Sequence, residues 1–265
     1  MNSILRNFLV FSISTLIFCF FISWSNGKDV KRQFYQISIY HFETNKQEVL
    51  LDNYFQNALL PALHRMGLKN IGVFKSYAND TTIDKRIFIL IPLSKIEQVV
   101  DIPSKLASDK SYLESGNSFI NTPYDAPAFV RMESIVLQAF RKAPEFETPK
   151  LSGPRNKRIY ELRSYESASE KIFQNKVHMF NEGDEVGLFK RLNFNAAFYG
   201  EVISGSKMPN LMYMTCHENK EIRDANWKAF TTDPFWKNLS SRAEYQHNVS
   251  HIDINFLFPT DYSDF

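Results

Sequence analysis

The 265-residue chain predicts an α+β protein of two tandem ferredoxin-like (βαββαβ) units packed as a pseudo-dimeric α/β barrel. Three observations predict it. Tyr35-Gln36-Ile37-Ser38-Ile39-Tyr40 and Tyr160-Glu161-Leu162-Arg163-Ser164-Tyr165 share the spacing Tyr-x-aliphatic-x-x-Tyr at an offset of 125 positions. The same offset sets Ile71-Gly72-Val73-Phe74 against Ala196-Ala197-Phe198-Tyr199 and Phe88 against Tyr213, while Ser134-Ile135-Val136-Leu137 parallels His251-Ile252-Asp253-Ile254 at 117, placing an insertion in the first copy. Second, each copy reads in the order strand, helix, strand, strand, helix, strand. Third, an antiparallel sheet with helices on one face leaves its other face bare. The proline-punctuated linker Lys142–Arg155 joins two such sheets in one chain, so their open faces pack together around a lumen.

The chain divides into a signal peptide (1–27), an N-terminal barrel half (28–141), a linker (142–157) and a C-terminal half (158–265). Arg6 precedes an uncharged run from Asn7 to Gly27 rich in Phe, Leu and Ile, a basic n-region followed by an apolar h-region. Its apolar stretch is at or below the ~20 residues that a membrane span needs. Export to a periplasm or the exterior is therefore expected, with an uncleaved membrane anchor as the alternative; the membrane enters only through this segment. Removal of Cys19 with the signal leaves Cys216 alone, so no internal disulfide forms.

In the first copy, Tyr35–Tyr40 alternates as a strand, Glu48–Met66 is a long helix interrupted near Pro61 and ended by Gly67, Val73–Tyr77 and Arg86–Ile91 form a hairpin, and Phe129–Leu137 closes the unit. In the second, Ile159–Tyr165 has period two, and Phe173, Val177 and Phe180 recur at helical spacing, extended by Val186, Phe189 and Leu192. Ala196–Val202 and Leu211–Cys216 flank the turn-rich Ser204–Asn210. Ile222–Phe230 is helical, Asp233-Pro234 supplies a cap and a first-turn proline for another short helix, and Val249–Phe258 ends the unit.

Composition excludes several function classes. With 31 basic against 29 acidic side chains, the field is too weak to steer nucleic acid. No glycine-rich phosphate loop, Gly-x-Ser-x-Gly or His-Glu-x-x-His is present, and two cysteines cannot supply a multi-cysteine metal site. His247 and His251 have i, i+4 spacing, but His251 begins a strand, where that spacing does not bring ligands together. No metal and no cofactor is expected.

The segments Tyr160–Tyr165, Asn210–Met214 and Trp227-Lys228-Ala229-Phe230-Thr231-Thr232-Asp233-Pro234-Phe235-Trp236-Lys237 resemble the NIPSNAP family across about residues 158–258. Ala58–Leu63 and Pro123–Phe129 resemble the N-terminal half of its tandem members. The resemblance implies a barrel of the dimeric α/β type and no settled set of catalytic residues. Structural relatives of the family include small monooxygenases and haem-binding proteins.

Candidate ligand-binding residues follow from strand alternation. Glu161, Arg163 and Tyr165 share one strand face, where the charged pair must be satisfied, either in a polar lumen or on a solvated edge. The first-copy equivalents Gln36, Ser38 and Tyr40 carry neither charge, so a pocket is expected to lean on the second half. Tyr40 and His41, at the end of the first strand, complete the candidates. His178 and His217 read as surface or half-buried groups, Cys216 as a structural thiol, and Trp227, Phe230, Phe235 and Trp236 as helix-on-sheet packing. The expected function is binding of a small hydrophobic or aromatic ligand in the lumen, with a homodimer as a further assembly. The alternatives are a cofactor-independent monooxygenase or isomerase and a structural assembly module.

Overall fold

The computed structural model describes residues 30–265; the expected signal peptide lies outside the described residues. In chain order the elements are β1 (Phe34–Phe42), α1 (Asn45–Tyr54), α2 (Leu60–Arg65), β2 (Gly72–Ser76), β3 (Lys85–Leu93), α3 (Gln98–Ser108), α4 (Lys110–Ser115), α5 (Asn117–Ile120) and β4 (Arg131–Ala139) in the first half. The second half holds β5 (Ile159–Glu166), α6 (Glu170–Asn181), α7 (Glu185–Arg191), β6 (Phe198–Ser204), β7 (Asn210–His217), α8 (Lys220–Thr232), α9 (Pro234–Ser241) and β8 (His251–Pro259). Among the described residues, no helix is long and apolar enough to cross a membrane.

Local chemistry sets the boundaries. Thr44 and Gln47 form a reciprocal capping box that starts α1. The expected single helix is split by a π-helical turn at Phe55–Leu59 before α2, because Pro61 has no N–H to offer the carbonyl one turn back. Gly67 follows with φ of 82°, the left-handed conformation that ends a helix cheaply only at glycine. Asp233 accepts from the backbone N–H of Phe235 at 2.8 Å and Pro234 opens α9, as the sequence predicts. Between its last two strands the first half carries α3, α4 and α5 where the second carries α8 and α9.

The eight strands close into one antiparallel barrel in the order β1-β3-β2-β8-β5-β7-β6-β4, with β4 returning to β1. Each half contributes a sheet of the same order, β4-β1-β3-β2 and β8-β5-β7-β6. The seams are the short pairings of β2 with β8 and of β4 with β6. Helices cover much of the outside, leaving Met132 of β4 and Ile252, Ile254 and Phe256 of β8 exposed. The barrel thus has two faces per strand, one toward the lumen and one toward the helices.

Register corrects the expected equivalences between the halves. Ile39 pairs with Phe88, and its counterpart Ser164 pairs with Met212, so Met212, not Tyr213, answers to Phe88. Likewise Ser38 pairs with Ser134 and Arg163 with Ile254, so Ile254, not His251, answers to Ser134. A one-residue slip moves a side chain to the other face: Phe88 and Met212 face the lumen while Tyr213 packs under the helices.

The lumen is filled at one end. Tyr35, Phe74, Tyr160, Phe198, Leu137, Cys216 and Leu257 are buried there, joined by the C-terminal Phe265 and by Phe146 and Leu151 of the linker. Tyr35 lies on Phe198 at 4.9 Å and Phe74 on Tyr160 at 4.8 Å between ring centroids. Gly72 makes room for this plug: a Cβ there would sit 2.8 Å from the Phe265 ring. Arg155 ties the tail down by donating to the carbonyls of Thr260 at 3.0 Å and Ser263 at 2.8 Å. Phe74→Ala is expected to cost about 3–5 kcal/mol through the cavity it leaves, measurable as a lowered urea midpoint; an unchanged midpoint would show that the plug is not a stabilising core.

Candidate functional site

Two polar clusters meet the physical criteria for a site, one on each side of the barrel wall. On the helix side, Glu161 is fully buried. Its carboxylate accepts from Arg163 Nε at 2.7 Å, Arg223 Nε at 2.7 Å, Arg223 Nη2 at 2.9 Å and Trp227 Nε1 at 2.8 Å. Arg163 stacks on the Trp227 ring at 3.9 Å and donates to the Tyr165 hydroxyl at 2.9 Å, which meets the Tyr213 hydroxyl at 2.8 Å. Burial alone would raise the Glu161 carboxyl, but hydrogen bonds from Arg223, the charge of Arg163 and the Trp227 donor outweigh it and hold the group below its ordinary value. Desolvation opposes the Arg163 cation, and the surrounding Tyr213, Tyr165 and Glu161 groups more than restore it.

Glu161, Arg163 and Tyr165 therefore lie together, but neither in the lumen nor on a solvated edge: β5 turns this face toward α8, which supplies Arg223 and Trp227. Trp227, Phe230 and Trp236 pack against the same layer, and Phe235 is exposed. The counterpart space in the first half is different. Gln36 and Ser38 are too short to fill it, and an apolar cleft of about 410 Å³ remains, bounded by Tyr40, Tyr54, Ile89, Leu106, Tyr112 and Met132. Tyr40 is buried in that layer, and burial followed by the charge of Tyr112 pushes its hydroxyl up to about 12. Over the equivalent strand faces, the cleft lies on the first half because the charges of the second half consume the room they occupy.

His217, expected to be a surface or half-buried group, is buried beside this network, with Nε2 3.2 Å from Thr215 Oγ1 and Nδ1 3.3 Å from the Asn226 amide. Burial pushes its imidazole down to about 4, with the nearby arginines adding to the effect against Glu161. Cys216 faces the lumen side, and burial pushes its thiol well up. Buried Lys176 and Glu185 pair at 2.9 Å, and desolvation leaves the Glu185 carboxyl raised despite Lys176.

The second cluster rims the unfilled end of the lumen. A cavity of about 250 Å³ opens there, floored by Ile39, Phe88, Ile135, Leu162, Val202 and Met212. His41, the one candidate that the structure places here, stands between two carboxylates, Nδ1 2.6 Å from Asp84 and Nε2 2.8 Å from Glu133. Arg131 reaches Glu133 at 3.0 Å, and Lys207 pairs with Asp253. Arg86 and Asn210 complete the polar wall. Sequence reasoning missed Asp84, Arg86, Arg131, Glu133, Lys207 and Asn210. The available signal was the antiparallel pairing of β1 with β3 that the βαββαβ order implies, which sets Arg86 opposite His41. Among the described residues, Glu166, His251 and Asp253 bring one potential metal-ligand atom each within 4.8 Å of one another, with Asp253 already engaged by Lys207.

The fold and its wall define a single-chain protein of the dimeric α/β-barrel type, with two halves in place of two subunits. Residues 160–264, within the C-terminal half, match the NIPSNAP family model. Among solved structures, the chain is similar to a candidate monooxygenase from Fusobacterium nucleatum, 5% identical over 87% of this chain and 94% of that one, with a TM-score of 0.57. It is also similar to one from Lactobacillus acidophilus, 12% identical over 86% and 94%, with a TM-score of 0.54. A NIPSNAP family protein from Agrobacterium tumefaciens aligns with 40% of this chain and 96% of its own at 19% identity, with a TM-score of 0.36. At these identities the likeness is one of fold. A comparison by sequence with curated proteins finds no match.

Two outcomes test the helix-side network. Glu161→Ala leaves two arginines facing a buried void and is expected to cost about 3–5 kcal/mol, read as a lowered denaturation midpoint; a loss under ~1 kcal/mol would mean the network is solvated. His217 is held neutral in the fold, so its contribution is present above its ordinary 6.5 and is lost as pH falls from there toward 4. The loss is on the order of 3 kcal/mol, and His217→Gln should flatten stability across that window; an unchanged acid slope in the variant would refute the assignment.

Proposed function

We propose that the chain is an exported barrel protein that binds a small molecule with an apolar body in the open end of its lumen. One observation carries the reading: the lumen is plugged with aromatic side chains at one end, whereas at the other it keeps a cavity of about 250 Å³ with an apolar floor and a charged rim. Ligand sites are typically concave and mostly apolar, with a few placed polar groups that fix orientation. A volume of this size suits a ligand of about one ring. The helix-side network is a poorer candidate, since Glu161 and Arg163 already satisfy each other and leave no room for an occupant. The recurrence of one strand order in both halves supports an internal duplication. Export rests on the character of residues 1–27, and N-terminal sequencing of the protein recovered from its host tests it.

Native mass spectrometry of protein from its own host tests the ligand. Wild type should carry a bound small molecule, Leu162→Trp should lose it by filling the cavity floor, and Arg163→Met should keep it at whatever fraction remains folded. Full retention in Leu162→Trp would place the ligand outside the lumen and overturn the proposal.

A further inference from the structure

The charges on the cavity rim are paired, with one exception. His41 faces Asp84 and Glu133, Arg131 faces Glu133, and Lys207 faces Asp253. Arg86 has no acid within ion-pair distance among the described residues, and its buried Nε has no hydrogen-bond partner. Its nearest aromatic contact is the Phe88 ring, 5.6 Å from the guanidinium carbon, on the cavity floor. The residue is also held in place: Asn79 clamps its main chain, accepting from the Arg86 N–H at 2.8 Å and donating to its carbonyl at 3.1 Å. An unpaired, half-enclosed guanidinium above an apolar floor matches a carboxylate, whose two oxygens fit its fork.

A second orphan lies across the barrel. Asn210 is buried, lines the same cavity and gives its amide nitrogen to Ser164 at 2.9 Å, which leaves Oδ1 buried without a partner. Asn210 occupies in β7 the place that Arg86 occupies in β3, since His41 pairs with Arg86 and its counterpart Glu166 with Asn210. Four strand steps separate β3 from β7 in the closed order, so the two orphans stand on opposite walls. One wall lacks an anion and the other lacks a donor.

Resting on the lumen reading above, we propose that the occupant is a small hydroxy-carboxylate with a single-ring body. Its carboxylate is held by Arg86, its ring lies on Phe88, Leu162 and Met212, and its hydroxyl donates to Asn210. A molecule polar at both ends and apolar between satisfies both orphans without breaking any rim pair.

The test compares 4-hydroxybenzoate with its neutral isostere 4-hydroxybenzamide by calorimetry on the mature chain, with Arg86→Met, Arg86→Lys and Leu162→Trp variants checked for unchanged melting. Wild type should bind the acid at least tenfold more tightly than the amide. Arg86→Met should bind both alike, Arg86→Lys should keep part of the preference, and Leu162→Trp should bind neither. Equal binding of acid and amide by wild type would overturn the carboxylate assignment while leaving the lumen reading intact. Undiminished binding in Leu162→Trp would overturn the lumen reading itself, and absence of binding by wild type would overturn the ligand class.

Discussion

Closure of the eight-stranded wall is the constraint on which the rest depends. Once β2 pairs with β8 and β4 with β6, every strand residue faces either a narrow lumen or the outside of the wall, with the period-two alternation of the chain deciding which. A polar group on either face must find its partners on that face. Glu161 meets this demand with groups from its own sheet and from α8. The lumen meets it only in part, confining charge to the rim and packing aromatic rings at the far end while Arg86 Nε and Asn210 Oδ1 stay without partners.

The same wall explains how two copies of one architecture come to differ. Tyr35 and Tyr160 are both buried in the plug, and Tyr40 and Tyr165 both lie under helices, so positions that close the barrel are kept. Positions that need only be satisfied have diverged. Where one half sets Glu161 and Arg163 under α8, the other sets Gln36 and Ser38 and leaves space. Where one half sets Arg86 on the lumen wall, the other sets Asn210. Each exchange alters which groups are left to be satisfied from outside the chain, while the strand order is untouched.

Much of the fold was legible because its signals are local. Alternation in Tyr35–Tyr40 and Ile159–Tyr165, the Asp233-Pro234 helix start and the Gly67 stop act within a few residues and survive into the structure. Face assignment was not legible. Tyrosine occurs on both sides of the wall, and the equivalence of the halves slips by a residue between hairpins, which is enough to exchange lumen for helix layer. The candidate site suffered accordingly. Glu161 and Arg163 stood out as charges inside a strand, yet a charge inside a strand marks burial with a partner as readily as it marks a pocket. Arg86 stands at the start of a strand, where nothing local marks it as facing the lumen, and only the pairing of β1 with β3 sets it over the cavity.

The two ends of the lumen act on a ligand in opposite ways. Phe265, Phe146 and Phe74 seal the lower end, so an occupant enters and leaves past the rim. Passing an apolar body over Arg86 strips water from its guanidinium, and an occupant without an acceptor leaves that loss unrepaid. An occupant with a carboxylate restores it in a medium of lower dielectric than water, where the charge-assisted bond is stronger. The apolar floor therefore sets how much area is gained, and the orphaned groups decide which molecules can gain it. Selectivity in this barrel resides in what its rim leaves unpaired, since the charges around it are already neutralised by their partners.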